Sequence, residues 1–156
     1  MTKSSASKTI FWGGLIAGAL DLTGACVVSW LRAGFGPVRV MQSISSGVIG
    51  VAAYSGGAKT AALGVVLHFL IATIWTVVFY AASRKLRFLV EQPVLWGLVY
   101  GVFVYAFMNF VVLPLSALPP SRFAPTLTGR LIQLLLIMFC IGLPIAIIVR
   151  HFSKQP

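Results

Sequence analysis

Acidic residues are nearly absent from this sequence. Of its 156 residues only two are Asp or Glu, against twelve Lys or Arg, and histidine and cysteine occur twice each. The chain therefore has no clustered set of His, Cys and carboxylate side chains for a metal, and it also lacks a Gly-x-Ser-x-Gly motif and a phosphate-binding loop. We expect a protein that is not an enzyme and that carries no cofactor.

Hydrophobic residues dominate what is present, at 59% of the chain against 9% charged residues. Four apolar runs reach the roughly 20 residues that a helix needs to cross a bilayer. They cover residues 10–31, 60–83, 94–118 and 127–149. This pattern predicts an all-α polytopic membrane protein, a bundle of four transmembrane helices that forms one domain over residues 1–156.

A further apolar stretch, residues 38–54, follows Pro37 and ends before a pair of glycines. At 1.5 Å per residue it would be about 25 Å long, which is short for a complete span. One side of it carries small residues: Ser43, Ser46, Gly47 and Gly50. The stretch is therefore predicted to be an interfacial or re-entrant helix that packs this small face against the bundle. The alternative is a fifth, short span.

The net charge of +10 comes from cations at the ends of the apolar runs and not from a cluster that would bind nucleic acid. Such residues anchor helices at lipid headgroups, so the bilayer is the expected partner. Seven lie on the side of the termini: Lys3, Lys8, Arg84, Lys85, Arg87, Arg150 and Lys154. Five lie on the opposite side: Arg32, Arg39, Lys59, Arg122 and Arg130. By the positive-inside rule this excess predicts that both termini are cytoplasmic.

The first span contains Asp21 near its middle, where an ionised side chain costs about 2.5–3.5 kcal/mol or more. Each of the other spans also contains a polar residue. Counting 1.5 Å per residue places these residues in the half of the membrane away from the termini. The predicted intramembrane cluster consists of Asp21, His68, Asn109, Arg130 and Gln133.

Two interpretations of this cluster remain open. In the first, the polar residues line a cavity with Asp21 at its floor and with His68 able to titrate, as in proton relays and substrate pathways. In the second, they hydrogen-bond across helices and only hold the bundle together, at about 0.6 kcal/mol per contact.

Glycine spacing indicates where the helices pack closely. Gly14-x-x-x-Gly18 in the first span and Gly97-x-x-x-Gly101 in the third are small-residue pairs of the kind that bring helices together. Because Gly14 and Gly18 share a face with Asp21, we expect this acid to face protein, at the third span. Pro114 in the third span and Pro144 in the fourth are predicted to kink their helices.

Several short motifs carry a resemblance to a known family. They are GGLIAG at residues 13–18, Leu67-His68-Phe69, GLVYG at 97–101, MNFVVLPLSALPP at 108–120 and GLPIA at 142–146. With them the chain resembles a group of small uncharacterised bacterial inner-membrane proteins that includes the YagU-like proteins. The resemblance implies a four-helix bundle in the bacterial inner membrane, and it implies no activity and no catalytic residue.

The function expected from these features is that of a small integral inner-membrane protein, a non-enzymatic accessory or envelope component. Such a protein would act as a homo-oligomer or as a subunit of a membrane complex. The alternative is a proton-coupled small-solute transporter or channel-like protein that uses Asp21 and His68. A lipid-modifying enzyme is a third class, and it would need an elongated cavity lined by His68 and an acid.

Overall fold

The computed structural model describes residues 3–118 and 126–153, with side chains from residue 6 onward. Within these ranges the chain is helical, with short connections and no strand. The helices are α1 (Lys3–Ala33), α2 (Pro37–Ile49), α3 (Gly57–Lys85), α4 (Phe88–Glu91), α5 (Pro93–Leu115) and α6 (Leu127–Ser153). Three predicted features, Arg122, Lys154 and the Pro119-Pro120 end of the third-span motif, lie outside the described residues.

Four of these helices, α1, α3, α5 and α6, are long and apolar enough to cross a membrane. The predicted all-α bundle with four transmembrane helices is therefore confirmed. The third span ends earlier than predicted, at Leu115, because the backbone becomes extended at Ser116. The described cations lie at the two ends of the bundle. Five are at the terminal end, Lys8, Arg84, Lys85, Arg87 and Arg150, and four are at the other, Arg32, Arg39, Lys59 and Arg130.

The short helix predicted over residues 38–54 exists as α2 followed by one 3₁₀ turn, Gly50–Tyr54. Its 13 residues give a length of about 20 Å, too short to cross a hydrocarbon core of about 30 Å. It folds back along the first turns of α3. The Ser45 hydroxyl donates to the carbonyl of Thr60 at 2.6 Å, and the Gln42 amide donates to the carbonyl of Gly57 at 3.2 Å.

The buried face of α2 is rotated slightly from the predicted one. Val40, Gln42, Ser45 and Ser46 are buried, whereas Ser43, Gly47 and Gly50 of the predicted small face are only half-buried. The rotation lets the side chains of Gln42 and Ser45 satisfy backbone carbonyls of α3. The opposite, apolar side of the helix, with Val48 and Val51, stays exposed.

The long helices approach one another most closely at glycines. Methyl groups added at Gly14 and Gly18 would lie 2.5 Å from the Thr73 hydroxyl and 2.8 Å from the Phe69 ring, both on α3. The prediction that this face meets the third span is therefore wrong, and its partner is the second span. A methyl at Gly101 would lie 2.5 Å from the Cα of Met138, so the small pair of the third span packs on α6.

The helices consequently follow one another around the bundle in the order α3, α1, α6, α5. Between α5 and α3 the ring is closed by aromatic side chains. Trp75 of α3 contacts Tyr100 and Phe107 of α5 edge to face, at 6.1 and 5.3 Å between ring centres. The Tyr100 hydroxyl donates to the Trp75 carbonyl at 2.7 Å.

Tyr100→Phe should therefore weaken the α3–α5 side of the bundle. Because the hydroxyl bond joins two helices inside a low-dielectric environment, its loss should lower the free energy of unfolding by about 1 kcal/mol. The measurement is reversible unfolding in mixed detergent micelles, monitored by circular dichroism. Unchanged unfolding would show that ring packing alone holds α3 to α5.

The hydrophobic core occupies the terminal half of the bundle. Its most buried members are Ala17, Phe79, Val104, Ile145, Ala146 and Val149. This half is closely packed, and the half away from the termini contains the polar residues described next.

Candidate polar cavity within the bundle

Asp21 of α1 and His68 of α3 face each other near the middle of their helices. The Asp21 Oδ2 atom lies 3.9 Å from the His68 Nε2 atom, and the side chains are 20% and 13% exposed. The same Nε2 atom lies 2.9 Å from the carbonyl oxygen of Gly18. A carbonyl only accepts, so Nε2 carries a proton. The imidazole is therefore charged only when Nδ1 also carries a proton.

This pair has two states with the same number of protons. In one, an Asp21 carboxylate faces a His68 imidazolium; in the other, both groups are neutral. At 3.9 Å and an effective dielectric constant near 20, opposite charges attract by about 4 kcal/mol, similar to the cost of one charge at mid-membrane. Either state leaves the pair without net charge. Only the gain or loss of a proton, or the binding of an ion, changes that.

The pair lines a cavity of about 270 Å³ to which all four long helices and α2 contribute. Gln133 of α6 and Ser43 of α2 supply its other polar side chains, and Trp75 and Met108 form part of its apolar wall. Ser43 and Gln133 also line an adjoining space of about 390 Å³, which runs past Ser116 at the end of α5. The cavity thus continues towards the side of the bundle opposite the termini, while the hydrophobic core closes it on the terminal side.

The five residues of the predicted cluster do not all lie here. Asp21, His68 and Gln133 line the cavity. Asn109 is outside its lining, and its amide donates to the Tyr105 carbonyl of its own helix at 2.9 Å. Arg130 is exposed on the first turn of α6.

Sequence reasoning missed the contribution of Ser43 to this cavity. Ser43 was placed on the small face of the short helix, but nothing in the sequence shows that α2 folds back over the mouth of the bundle. That position depends on the contact at Gly64, where the Met41 carbonyl touches the backbone of α3. In the sequence, the one feature that could have indicated this position of α2 is Gly64 itself, a glycine in the first turns of the second span.

Both prolines that were predicted to kink their helices follow wide helical turns. A π-helical segment, Met108–Val112, precedes Pro114, and a second one, Ile137–Gly142, precedes Pro144. In each, the amide after the segment donates to the carbonyl five residues earlier, which removes the clash that a proline ring causes in a regular helix. Met108 and Ile137 belong to these turns and line the cavity.

No metal site was found in the described part of the chain, where no three His, Cys, Asp or Glu residues are grouped. Cys26 and Cys140 are free thiols.

Comparisons of the chain with protein-family models, with curated proteins and with solved structures found no match. The resemblance to YagU-like proteins therefore stays a prediction, and function has to be argued from the cavity itself.

Proposed function

We propose that this chain is a non-enzymatic membrane protein that binds a small solute in the cavity and exchanges it for a proton. The carrying observation is the Asp21–His68 pair, 3.9 Å apart, inside a cavity that continues to one side of the bundle. A paired acid and imidazole at mid-membrane supply a site that is neutral when empty. The site becomes receptive to another charge when it loses its proton.

The arrangement also supports transport over simple binding. One end of the cavity is continuous with a second space, and the other end is closed by packed side chains such as Phe79 and Ile145. A transporter needs this asymmetry and a means to reverse it. The π-helical turns of α5 and α6 border the cavity, and they are the places where these helices depart from regular hydrogen bonding and bend most easily.

Support for a non-enzymatic role comes from the hydrogen bonds of Ser43. Ser43, His68 and Asp21 are the residue types of a hydrolytic triad and line one cavity. A triad requires the serine hydroxyl to bond to the imidazole. Here the Ser43 hydroxyl donates to the Val40 carbonyl at 2.7 Å, and the protonated Nε2 of His68 faces both Asp21 and Gly18.

We further propose that the protein resides in a bacterial inner membrane with both termini cytoplasmic. The cavity would then open to the periplasmic side. The excess of cations at the terminal end, together with the resemblance of the sequence motifs, supports this orientation. Assembly as a homo-oligomer or within a membrane complex also remains a proposal.

A second candidate is the accessory or envelope component, in which the pair only stabilises the bundle. It is favoured by the number of polar side chains that bond to their own helix, as Asn109, Thr73 and Thr76 do. These contacts need no ligand.

The test is proton movement in proteoliposomes with a pH-sensitive dye inside. Tetramethylammonium, choline and alanine are added outside in turn, and a solute accepted by the wild-type protein should change the internal pH. Asp21→Asn keeps the shape of the side chain but cannot exchange a proton, so its response should fall to that of empty liposomes. Asn109→Ala, outside the cavity, is the matched control.

If Asp21→Asn responds as the wild-type protein does, the pair has no part in proton exchange. If Asp21→Asn and His68→Ala lower only the melting temperature, and none of the three solutes produces a signal with the wild-type protein, the accessory interpretation holds.

A further inference from the structure

We propose that the solute is an amphiphile with a cationic head, and that it reaches the Asp21–His68 pair sideways from the bilayer, between α3 and α5. This inference rests on the proposed function and names its class of ligand. The geometry that points to it is an apolar, lipid-facing groove next to the cavity.

The groove has a volume of about 370 Å³ and lies between α3 and α5. Ile74 and Val78 line it from α3, and Phe103 and Phe107 line it from α5. Ile74 and Phe103 are each 51% exposed, on surface that faces lipid in the membrane. This groove lies on the side of the bundle where aromatic side chains, rather than close helix packing, join the two helices.

The groove adjoins the polar cavity. Ile71, Trp75 and Met108 line both spaces. A molecule with its tail in the groove therefore brings its head beside Asp21 and His68 once these three shared side chains move aside.

The sizes of the two spaces suit a head and a tail. Pockets that hold a whole drug-sized ligand measure roughly 300–1,000 Å³. The polar cavity alone, at about 270 Å³, falls just below that range, and the groove adds a space of about 370 Å³ with an apolar lining. An alkyl chain suits this groove, because in the membrane the groove is otherwise filled by lipid tails, which are equally apolar.

The positive charge proposed for the ligand's head group follows from the positions of the two acidic residues. Asp21 and Glu91 are the only two in the chain, and Glu91 belongs to α4, at the terminal end of the bundle. Asp21 is thus the only anionic group available to a ligand in the cavity. Trp75, at the junction of groove and cavity, offers an indole ring, which attracts alkylammonium groups.

Charge also favours the sideways route. The end of the bundle onto which the cavity continues carries Arg32, Arg39, Lys59 and Arg130. The two acids of the chain lie elsewhere, so a cation approaching from water meets a positive rim. A cationic amphiphile already in the bilayer avoids this barrier.

Proton balance sets the pH dependence. The empty pair holds one exchangeable proton, on Asp21 or on His68 Nδ1. When the cationic head pairs with the carboxylate, that proton leaves to the water side through the space that Ser43 and Gln133 line, and His68 stays neutral. The free pair and the complex are then both uncharged.

Other groups facing the pair are few. From α6 the cavity receives Gln133, and the Cys140 thiol lies next to α1 at Gly24. From α2 it receives Ser43, beyond which the Arg39 guanidinium stacks on Tyr54 at 3.9 Å. From α5 it receives apolar side chains such as Met108. With one proton released per cation bound, affinity should rise about tenfold per pH unit while the pair keeps its proton.

The test is equilibrium binding of radiolabelled octyltrimethylammonium and tetramethylammonium to the full-length protein in lipid nanodiscs, with empty nanodiscs subtracted. Ile74→Trp fills the groove from a lipid-facing position and should weaken octyltrimethylammonium binding by about tenfold or more, leaving tetramethylammonium unchanged. Leu70→Trp is the matched control, because Leu70 is 52% exposed on the same helix and does not line the groove. Size-exclusion chromatography checks that each variant is folded.

Three results would overturn the inference. If Ile74→Trp binds both probes as Leu70→Trp does, the groove does not hold the tail and the inference is wrong, although Asp21-dependent binding of tetramethylammonium would leave the proposed function standing. If octanoate competes better than octyltrimethylammonium, the sign of the head is wrong. If neither probe binds in a way that Asp21→Asn abolishes, the inference fails, and the proposed function fails with it when alanine also gives no signal in the proteoliposomes.

Discussion

Gly142→Val is expected to separate α5 from α6 and to prevent the bundle from reaching its native packing. A methyl group on Gly142 would lie 2.6 Å from the amide nitrogen of Gly101 and 2.8 Å from its Cα, and it would also touch the Gly97 carbonyl. These atoms are backbone and cannot move aside as a flexible side chain would. Overpacking a core costs about 1–3 kcal/mol even where side chains can adjust, so a valine here should cost at least the upper end of that range.

The measurement is thermal unfolding in detergent, followed by loss of the monodisperse peak in size-exclusion chromatography. Gly47→Ala is the control, because its added methyl group would lie 3.8 Å from the nearest atom, Ser116 Cβ, which is ordinary contact. Alanine also favours a helix over glycine by about 1 kcal/mol. A melting temperature for Gly142→Val within about 2 °C of the control would show that α5 and α6 are not held at this distance.

Gly64→Ala is expected to detach α2 from α3 while the four spans remain folded. An added methyl group would collide with the carbonyl oxygen of Met41 and lie 2.7 Å from its carbon. Because α2 is short and lies at the edge of the bundle, it yields before α3 does. The hydrogen bonds of Ser45 and Gln42 to the α3 backbone would break with it.

Hydrogen exchange followed by mass spectrometry reports this directly. The amides of residues 37–54 should exchange about tenfold faster or more in Gly64→Ala, and those of residues 93–107 should keep their wild-type rates. The Gly47→Ala variant carries the same change inside α2 without a collision and should exchange no faster than the wild-type protein. Equal rates in the two variants would contradict the direct α2–α3 contact.

Detachment of α2 would also change the cavity. Val40, Ser43 and Ile44 of α2 form part of its wall, so a detached α2 would open the cavity to the side opposite the termini. This helix is therefore both a structural element and the cover of the site.

The membrane class and the number of spans follow from composition and hydrophobic length alone. Each apolar run of some 20 residues must be a helix in lipid, because the hydrocarbon offers no other partner for the backbone. Asp21 was identifiable for the same reason, since a single acid in such a run is costly wherever the helix packs. The two prolines likewise predicted the positions of the irregular turns, because the ring clashes within its own helix.

Other features were decided only by the tertiary structure. The Gly14–Gly18 face was predicted to meet the third span and meets the second, because a small-residue pair shows that a close neighbour exists but does not show which one. Asn109 was predicted to join the polar cluster, but its amide donates to the Tyr105 carbonyl of its own helix, since position counted along a helix does not determine rotation around the bundle.

The Asp21–His68 pair depends partly on features that the sequence determines and partly on the tertiary structure. Sequence alone determined that an acid and a histidine lie near the middle of two different membrane-length helices, because hydropathy and length set where each helix begins and ends. Their separation of 3.9 Å, the fold of α2 over them and the groove between α3 and α5 depend on which helices touch. Those contacts depend on how closely Gly18, Gly64 and Gly142 approach their neighbours. The spacing of apolar residues along the sequence does not determine these distances.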